Sequence, residues 1–524
     1  LLINVDDWND WNSVLKGHSQ AITPNIERFA KKGVTFSHAI CASPSCGPSR
    51  PALFTGIAPS RSGNISNDNG KRPWRFYAGP ETVTIPKLFS QNGWTSIGIA
   101  KNFHRGDGPE FDTYIPPFKT PKKLKKVGVR LKSASWDIAD IPASEMGDYK
   151  AASTAIKTID SHKGPLFLSV GIYRPHVPWI VPQAYFDLYP PETLQLSERR
   201  VEDLDDLPER LKLVAGFESK FGKGYHEMLV EKGYDKQFAR AYLASVTFAD
   251  EQVGRILDAW YASPYAETGY VVLWSDHGYM LGEKNAWSKI KPWYDSSHSN
   301  FMVAGPGLPK GAVCGKAVSL LDLYPTLIEL LNLPKPPQTL DGNSLVPLLK
   351  DPDAEWDRPV RMTSQMDGVF FESILSNDFR MTRLATGETE LYKLANDPHE
   401  FTNLAGNPKY AEVIEELEKH LSFSYPEIPA DGWMEAEEIP AQTSADYQLR
   451  GNCHYTLTDT EASRERLVSA LLYAGAGSYI EFIVNLPTAG TYHLEGTIAM
   501  SGTCSVFVDC LLYTSPSPRD GHQS

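Results

Sequence analysis

The stretch Gly269-Tyr270-Val271-Val272-Leu273-Trp274-Ser275-Asp276-His277-Gly278 is an apolar run that ends in a hydroxyl, a carboxylate, an imidazole and a glycine. Gly269–Trp274 reads as a buried strand, rich in β-branched and aromatic side chains. Just before it, Gln237–Ala259 puts Tyr242, Val246, Ala249, Val253, Ile256 and Leu257 on one face of a long helix. A helix leading into a wholly apolar strand is the unit of a parallel sheet, because parallel neighbours need a long crossover between them. Reactive groups in such sheets gather at the carboxyl ends of the strands, which is where Asp276 and His277 stand.

The same pattern extends outward. Leu1–Val5 reads as a strand that ends in Asp6 and Asp7, followed by a helix around Pro24–Lys32. A helix at Val83–Asn92 precedes the strand Trp94–Ala100, and Pro165–Ile172 is a further strand. The predicted fold class is α/β, with a large mostly parallel sheet flanked by helices. A helix at Leu320–Leu331 and the run Pro334-Lys335-Pro336-Pro337 close this domain, set at residues 1–339. Residues 340–428 read as a smaller α+β subdomain, with strands near Val360–Thr363, Val369–Ser376 and Phe379–Ala385 and a helix at Tyr410–Leu421. Residues 429–510 turn to short strands, Ser478–Asn485 and Thr491–Ala499 among them, as in a truncated β-sandwich. Residues 511–524 change composition abruptly and read as a non-native tail.

The formal charge of −13 argues against a nucleic-acid partner and means that an anionic substrate needs a locally positive pocket. No apolar run reaches the length of a membrane span. The six cysteines (41, 46, 314, 453, 504 and 510) are too scattered for a disulfide framework; a single pairing, Cys453 with Cys504, is open if the chain is exported.

The run Cys46-Gly47-Pro48-Ser49-Arg50-Pro51-Ala52-Leu53-Phe54-Thr55-Gly56 places a thiol at a helix start, with proline in the first turn and glycine closing the apolar stretch. Unpaired N–H groups there favour an anion, and Arg50 lies one turn on, on the same face. The whole string resembles the signature of the type I, formylglycine-dependent sulfatases of the alkaline-phosphatase superfamily. That resemblance runs from residue 1 to about 420 and implies a sulfuric ester hydrolase whose cysteine, here Cys46, is oxidised to formylglycine by a formylglycine-generating or sulfatase-maturating enzyme. It also implies one divalent cation, usually Ca²⁺, held by Asp6, Asp7, Asp276, His277 and the modified Cys46. Hard cations take such carboxylate oxygens.

Further site residues follow strand ends: Lys101 and His104 after Trp94–Ala100, His176 in Tyr173-Arg174-Pro175-His176-Val177-Pro178, and Lys289 in Trp287-Ser288-Lys289. His277 and the spacing of Lys101 and His104 resemble the iduronate-2-sulfatase-like branch. The resemblance implies that Arg50 stabilises the nucleophilic oxygen, that Lys101 and Lys289 bind the sulfate, that His176 protonates the leaving alcohol and that His104 releases the sulfate. Where relatives commonly carry an arginine, Ser296-Ser297-His298-Ser299-Asn300 places His298 as a candidate substrate contact. The family implies a sulfated polysaccharide or oligosaccharide as substrate and a periplasmic or secreted location. Trp433-Met434-Glu435-Ala436-Glu437 and the strands after it are similar to a carbohydrate-binding module. Trp8, Trp11, Trp179, Tyr279, Trp287 and Trp293 stand open between sugar-stacking walls and core packing. The alternatives are a phosphomonoester or phosphonate hydrolase of the same superfamily, a non-catalytic glycan-binding protein, and a hydrolase with unmodified Cys46 as nucleophile.

Overall fold

The computed structural model describes residues 1–67, 74–104, 108–131, 134–216, 224–366, 369–385 and 387–422, and six strand backbones between 441 and 509. Leu1–His420 forms one compact unit and Leu421–Ser524 another. The first unit contains β1 (Leu2–Val5), β2 (Val34–Ile40), β3 (Thr95–Ile99), β4 (Thr113–Ile115), β5 (Trp136–Ala139), β6 (Leu166–Ile172), β7 (Trp179–Pro182) and β8 (Val271–Ser275). It continues with β9 (Met280–Leu281), β10 (Trp287–Ser288), β11 (Phe301–Ala304) and β12 (Ala312–Ser319).

Eight of these strands form one sheet in the order β12-β2-β11-β8-β1-β6-β3-β4. All neighbours are parallel except the two pairs made by β11. The strands anticipated around β1, β3, β6 and β8 are present, with ends moved by one or two residues. Those unanticipated are short or broken in pattern: Ser37 and His38 interrupt β2, and β12 carries an irregularity between Cys314 and Ala317.

Alternation along β1 sends Ile3 and Val5 to one core and Leu2 to the other, so both faces are covered. The helix Tyr234–Ala262, longer at both ends than expected, packs on the Ile3 side with the helix Gly147–Ser161. The helices Cys46–Thr55, Ile85–Gln91 and Leu323–Leu331 pack on the Leu2 side. Asn4, the one polar residue of β1, shares the Leu2 side and is fully buried. Among the described residues, no helix is long and apolar enough to cross a membrane.

A second, antiparallel sheet follows: β13 (Val360–Met366), β14 (Val369–Leu375), β15 (Arg380–Leu384) and β16 (Thr389–Tyr392), in that order. Its Met362, Phe371, Leu384 and Tyr392 form a core with Met280, Trp293 and Tyr294. Thr363 N donates to Ala42 O at 2.9 Å, which ties this sheet to the turn before Cys46. In the second unit, β17 (Ala441–Thr443), β20 (Ser478–Leu486), β19 (Arg466–Ala474) and β22 (Cys504–Asp509) make one antiparallel sheet, and β18 (Cys453–Thr458) pairs with β21 (Thr491–Gly496). Trp433–Glu437, the side chains of Cys453 and Cys504, and residues 511–524 lie outside the described residues. Cys41, Cys46 and Cys314 are buried free thiols.

The sugar-wall reading of the aromatics is corrected. Trp8, Trp11, Trp179, Tyr279, Trp287 and Trp293 are each at most 3% exposed and belong to the cores. Trp179 meets Phe238, Tyr242 and Tyr279 edge-on at 5.6, 5.9 and 5.7 Å. Trp179→Ala is expected to cost about 3–5 kcal/mol of stability by opening a cavity. Chemical denaturation checks this; intact stability with lost sugar binding would restore the wall.

Candidate active site

The helix Cys46–Thr55 begins at the thiol and ends at Gly56, whose φ of +69° and N–H to Ala52 O form a left-handed cap. A side chain at that position would collide with Leu340 Cδ2 at 2.4 Å. Cys46 therefore stands at a helix N-terminus with its side chain fully buried at the carboxyl end of the sheet. Lys289 Nζ donates to Cys46 Sγ and to Asp7 Oδ1, at 2.8 Å each. His277 Nε2 is 3.3 Å from the sulfur, Asp6 Oδ1 3.7 Å and Asp7 Oδ1 3.9 Å. His104 lies beside the same sulfur. Burial alone would push the Cys46 thiol up, but Lys101, Lys289, His277 and His104 hold it well below the usual thiol range.

The carboxylates come from two strand ends. Asp6 and Asp7 follow β1, and Asp276 follows β8, its parallel neighbour. Asp7 has φ +60°, an unusual left-handed conformation for a non-glycine residue. It is held there by Tyr242 Oη, which donates to Asp7 O at 2.7 Å, and by its own N–H, which donates to Asp276 Oδ1 at 3.0 Å. Lys101 Nζ donates to Asp6 Oδ2 at 2.5 Å. Against the effect of burial, Lys101 and Arg50 keep Asp6 below the ordinary carboxylate range. His277, which burial would push down, is pushed up to about 9 by Asp276 and the Cys46 sulfur. The negative charges that raise it also attract a cation.

Arg50 needs a correction. Its guanidinium is fully buried and does not contact the sulfur. Nε donates to Asp276 Oδ2 at 2.8 Å and Nη2 to Asp6 Oδ1 at 2.9 Å. Nη1 donates to Asn4 Oδ1 at 2.7 Å, Asn102 O at 2.9 Å and Lys101 O at 3.2 Å. One turn beyond Cys46, Arg50 reaches down to the sheet rather than up to the thiol, and it ties together three strand ends.

His176 is near the group: its Nε2 is 3.9 Å from Asp7 Oδ2. Its Nδ1 lies 2.6 Å from Val177 O, an acceptor only, so Nδ1 carries a hydrogen and Nε2 faces the site. His298 is not brought to the site. It is 5% exposed, its Nε2 bonds Ser37 O at 2.9 Å and its ring stacks on Tyr294, so the expected substrate contact is replaced by packing under β2.

The donor set suits a divalent cation. Ligand atoms of Asp7, Cys46, Asp276 and His277 lie within 4.8 Å of one another. Asp7 Oδ2 is buried without a hydrogen-bond partner, which a cation would satisfy. His277 Nδ1 bonds Gly278 O at 2.8 Å, leaving Nε2 turned to the cluster. Asn4, Asn102, Ser169 and Tyr242 support the cluster from outside the motifs. Asn102 Oδ1 accepts from Asn4 Nδ2 at 3.2 Å and from Ser169 Oγ at 2.5 Å beneath Lys101. Asn4 stands out as an amide in an apolar strand, whereas Tyr242 is indistinguishable from the apolar face of its helix.

Residues 1–333 match the sulfatase family model. The chain belongs to the sulfatase family. A second model, N-sulphoglucosamine sulphohydrolase, C-terminal, matches residues 282–425, which contain β13 to β16. A sulfatase of Formosa agariphila is 34% identical over 440 residues, covering 80% of this chain and 85% of that one. The iduronate 2-sulfatase of Mus musculus is 27% identical over 393 residues, 64% of this chain and 69% of the relative. Among solved structures, the phosphonate monoester hydrolase of Agrobacterium radiobacter superposes with a TM-score of 0.67 at 20% identity, over 82% of this chain and 98% of that one; it shares the fold. This sulfatase is a sulfuric ester hydrolase, and its large sheet carries the Cys46 cluster at the ends of its strands.

Proposed function

We propose that this sulfatase hydrolyses sulfate esters of a sulfated polysaccharide or of an oligosaccharide cut from one, using Cys46 converted to formylglycine. The observation that carries the reading is the convergence on one buried thiol of Lys289 at 2.8 Å and His277 at 3.3 Å, with His104 beside them. The hydrated aldehyde of formylglycine supplies two hydroxyls on one carbon, one to attack sulfur and one whose loss of a proton expels sulfate. Asp6, Asp7, Asp276, His277 and the converted Cys46 would hold one Ca²⁺, which supplies positive charge beside the nucleophilic oxygen and the sulfuryl group.

The chain's own groups do the rest. Lys289 and Lys101 supply fixed positive charge where sulfuryl oxygens gather it in the transition state. His176 Nε2 gives its proton to the departing alcohol oxygen as the sulfur–oxygen bond breaks. His104 accepts the proton whose removal reforms the aldehyde and frees sulfate. Arg50 holds Asp6 and Asp276 apart and in place. The sugar component rests on the likeness to an iduronate sulfatase, and export to the periplasm or medium and carbohydrate binding by the C-terminal strands accompany it. Maturation requires an oxidising formylglycine-generating partner.

Lys289→Ala is expected to lower kcat on an aryl sulfate about 10²–10³-fold, the usual loss for one preorganised donor. The reading itself is tested by co-expression with a formylglycine-generating enzyme, mass spectrometry of the Cys46 peptide, and parallel assays of aryl sulfate and aryl phosphate. A peptide that stays thiol with no sulfate release would sink it. Faster phosphate turnover would favour the phosphonate and phosphomonoester alternative, whose fold this chain shares.

A further inference from the structure

The chain carries 64 acidic against 51 basic residues, yet residues 113–136 hold seven Lys and Arg and no Asp or Glu. Lys119, Lys122, Lys123, Lys125, Lys126 and Arg130 are all exposed. The segment leaves β4 beside the site: Ala100 N donates to Ile115 O at 2.8 Å and Tyr114 Oη to Ala100 O at 3.0 Å, one residue before Lys101. It then runs antiparallel to β5. Lys125 N donates to Ile138 O at 3.0 Å, Trp136 N to Val129 O at 3.0 Å and Asp140 N to Lys123 O at 2.9 Å. A side chain at Gly128 would strike Trp136 O at 1.8 Å, so glycine lets the two backbones close up.

The β5 strand also pairs with β7, Trp136 level with Trp179, and Trp179 follows His176 by three residues. Trp179 N donates to Ser135 O at 2.7 Å, and Arg130 bridges to Ser135 from the other side. Arg130 thus lies two strand spacings, about 10 Å, from the chain that carries His176. Lys126, Lys125, Lys123 and Lys122 continue away from it along the ribbon. Arg130 is 3.8 Å from Asp137 Oδ2 and Lys125 donates to Gln183 Oε1 at 3.0 Å. Among the described residues, Lys122, Lys123 and Lys126 have no carboxylate partner.

A row of like charges on a tethered backbone repels itself and collects counterions, which an anionic chain laid along it would release. One sulfate ester needs only the Cys46 cluster. A row leading outward from that cluster suits several anionic groups spaced on one polymer. We propose that this strip binds the sulfated polysaccharide beyond the ester being cleaved, and so selects polymer over small sulfate esters. The inference rests on the sulfatase reading of the Cys46 cluster and adds the extended polyanion as its substrate class.

The test replaces Lys122, Lys123, Lys125 and Lys126 together by Gln in the full chain matured with its formylglycine-generating partner. In about 10 mM salt, KM for a sulfated polysaccharide is expected to rise about tenfold or more, with kcat unchanged. For 4-nitrophenyl sulfate, kcat/KM should stay within about twofold, and the polymer difference should collapse near 1 M salt, where the screening length is about 3 Å. An unchanged polymer KM at low salt overturns the proposal. The double variants Lys122→Gln with Lys123→Gln and Lys125→Gln with Lys126→Gln give the same reading should the fourfold variant not fold. If the wild type turns over neither substrate, the assigned activity fails instead, and retention on immobilised dextran sulfate still reads the strip. Equal retention of wild type and variant overturns it, as does tighter wild-type binding to duplex DNA or anionic vesicles than to dextran sulfate.

Discussion

Cys46→Ala is expected to abolish sulfate ester hydrolysis, lowering turnover by about 10⁴-fold or more, as loss of a nucleophile does in enzymes whose site groups act as a unit. Lys289 Nζ at 2.8 Å and His277 Nε2 at 3.3 Å are aimed at its side-chain position, and His104 lies beside it. Alanine can neither be oxidised to the aldehyde nor present an oxygen to sulfur. Folding should survive, since alanine suits the first turn of a helix and removes only one buried sulfur. Aryl sulfate turnover measured beside circular dichroism checks both parts. Residual activity above about 1% of wild type would place the nucleophile elsewhere, given the size of the expected loss.

Arg50→Met should do the largest damage to the fold. The guanidinium is fully buried between Asp6 and Asp276, at 2.9 and 2.8 Å, with both carboxylates fully buried too. Removing one partner of a buried pair leaves an uncompensated charge and costs about 3–5 kcal/mol. Here two carboxylates and the Asn4, Lys101 and Asn102 acceptors lose a donor together, so the upper end of that range is expected. Arg50→Lys should recover only part, because an ammonium cannot reproduce the planar fork. Denaturation midpoints of both variants check the order. A Met variant as stable as wild type would mean that Arg50 is not the strut between strand ends.

Much of the site was legible because each chemical group directly follows a strand. Asp6 and Asp7 close β1, Lys101 follows β3, His176 follows β6, and Asp276 with His277 closes β8. An apolar run ending in polar residues is a local signal, and parallel strands bring all such ends to one side. Lys289 follows the two-residue strand β10 and was legible through its motif rather than through any pattern of burial. The aromatic residues near these motifs carried no such information, since a ring in a core and a ring in a sugar wall look alike in sequence. His298 failed for a similar reason: its loop spacing matched a substrate position, while its partners Ser37 and Tyr294 were decided by packing.

Local chemistry, then, is what the amino-acid sequence by itself determined: a thiol at a helix start, carboxylates at strand ends, lysines and histidines just beyond others. The tertiary structure alone decided which of them meet. Arg50 became a strut because Asn4, Asp6, Lys101, Asn102 and Asp276 surround it from positions 44 to 226 residues away. Tyr242 became a support for Asp7 because a helix 235 residues later crosses that strand end. Such pairs leave no mark along the chain, since burial, register and the direction of a side chain are properties of the assembled sheet.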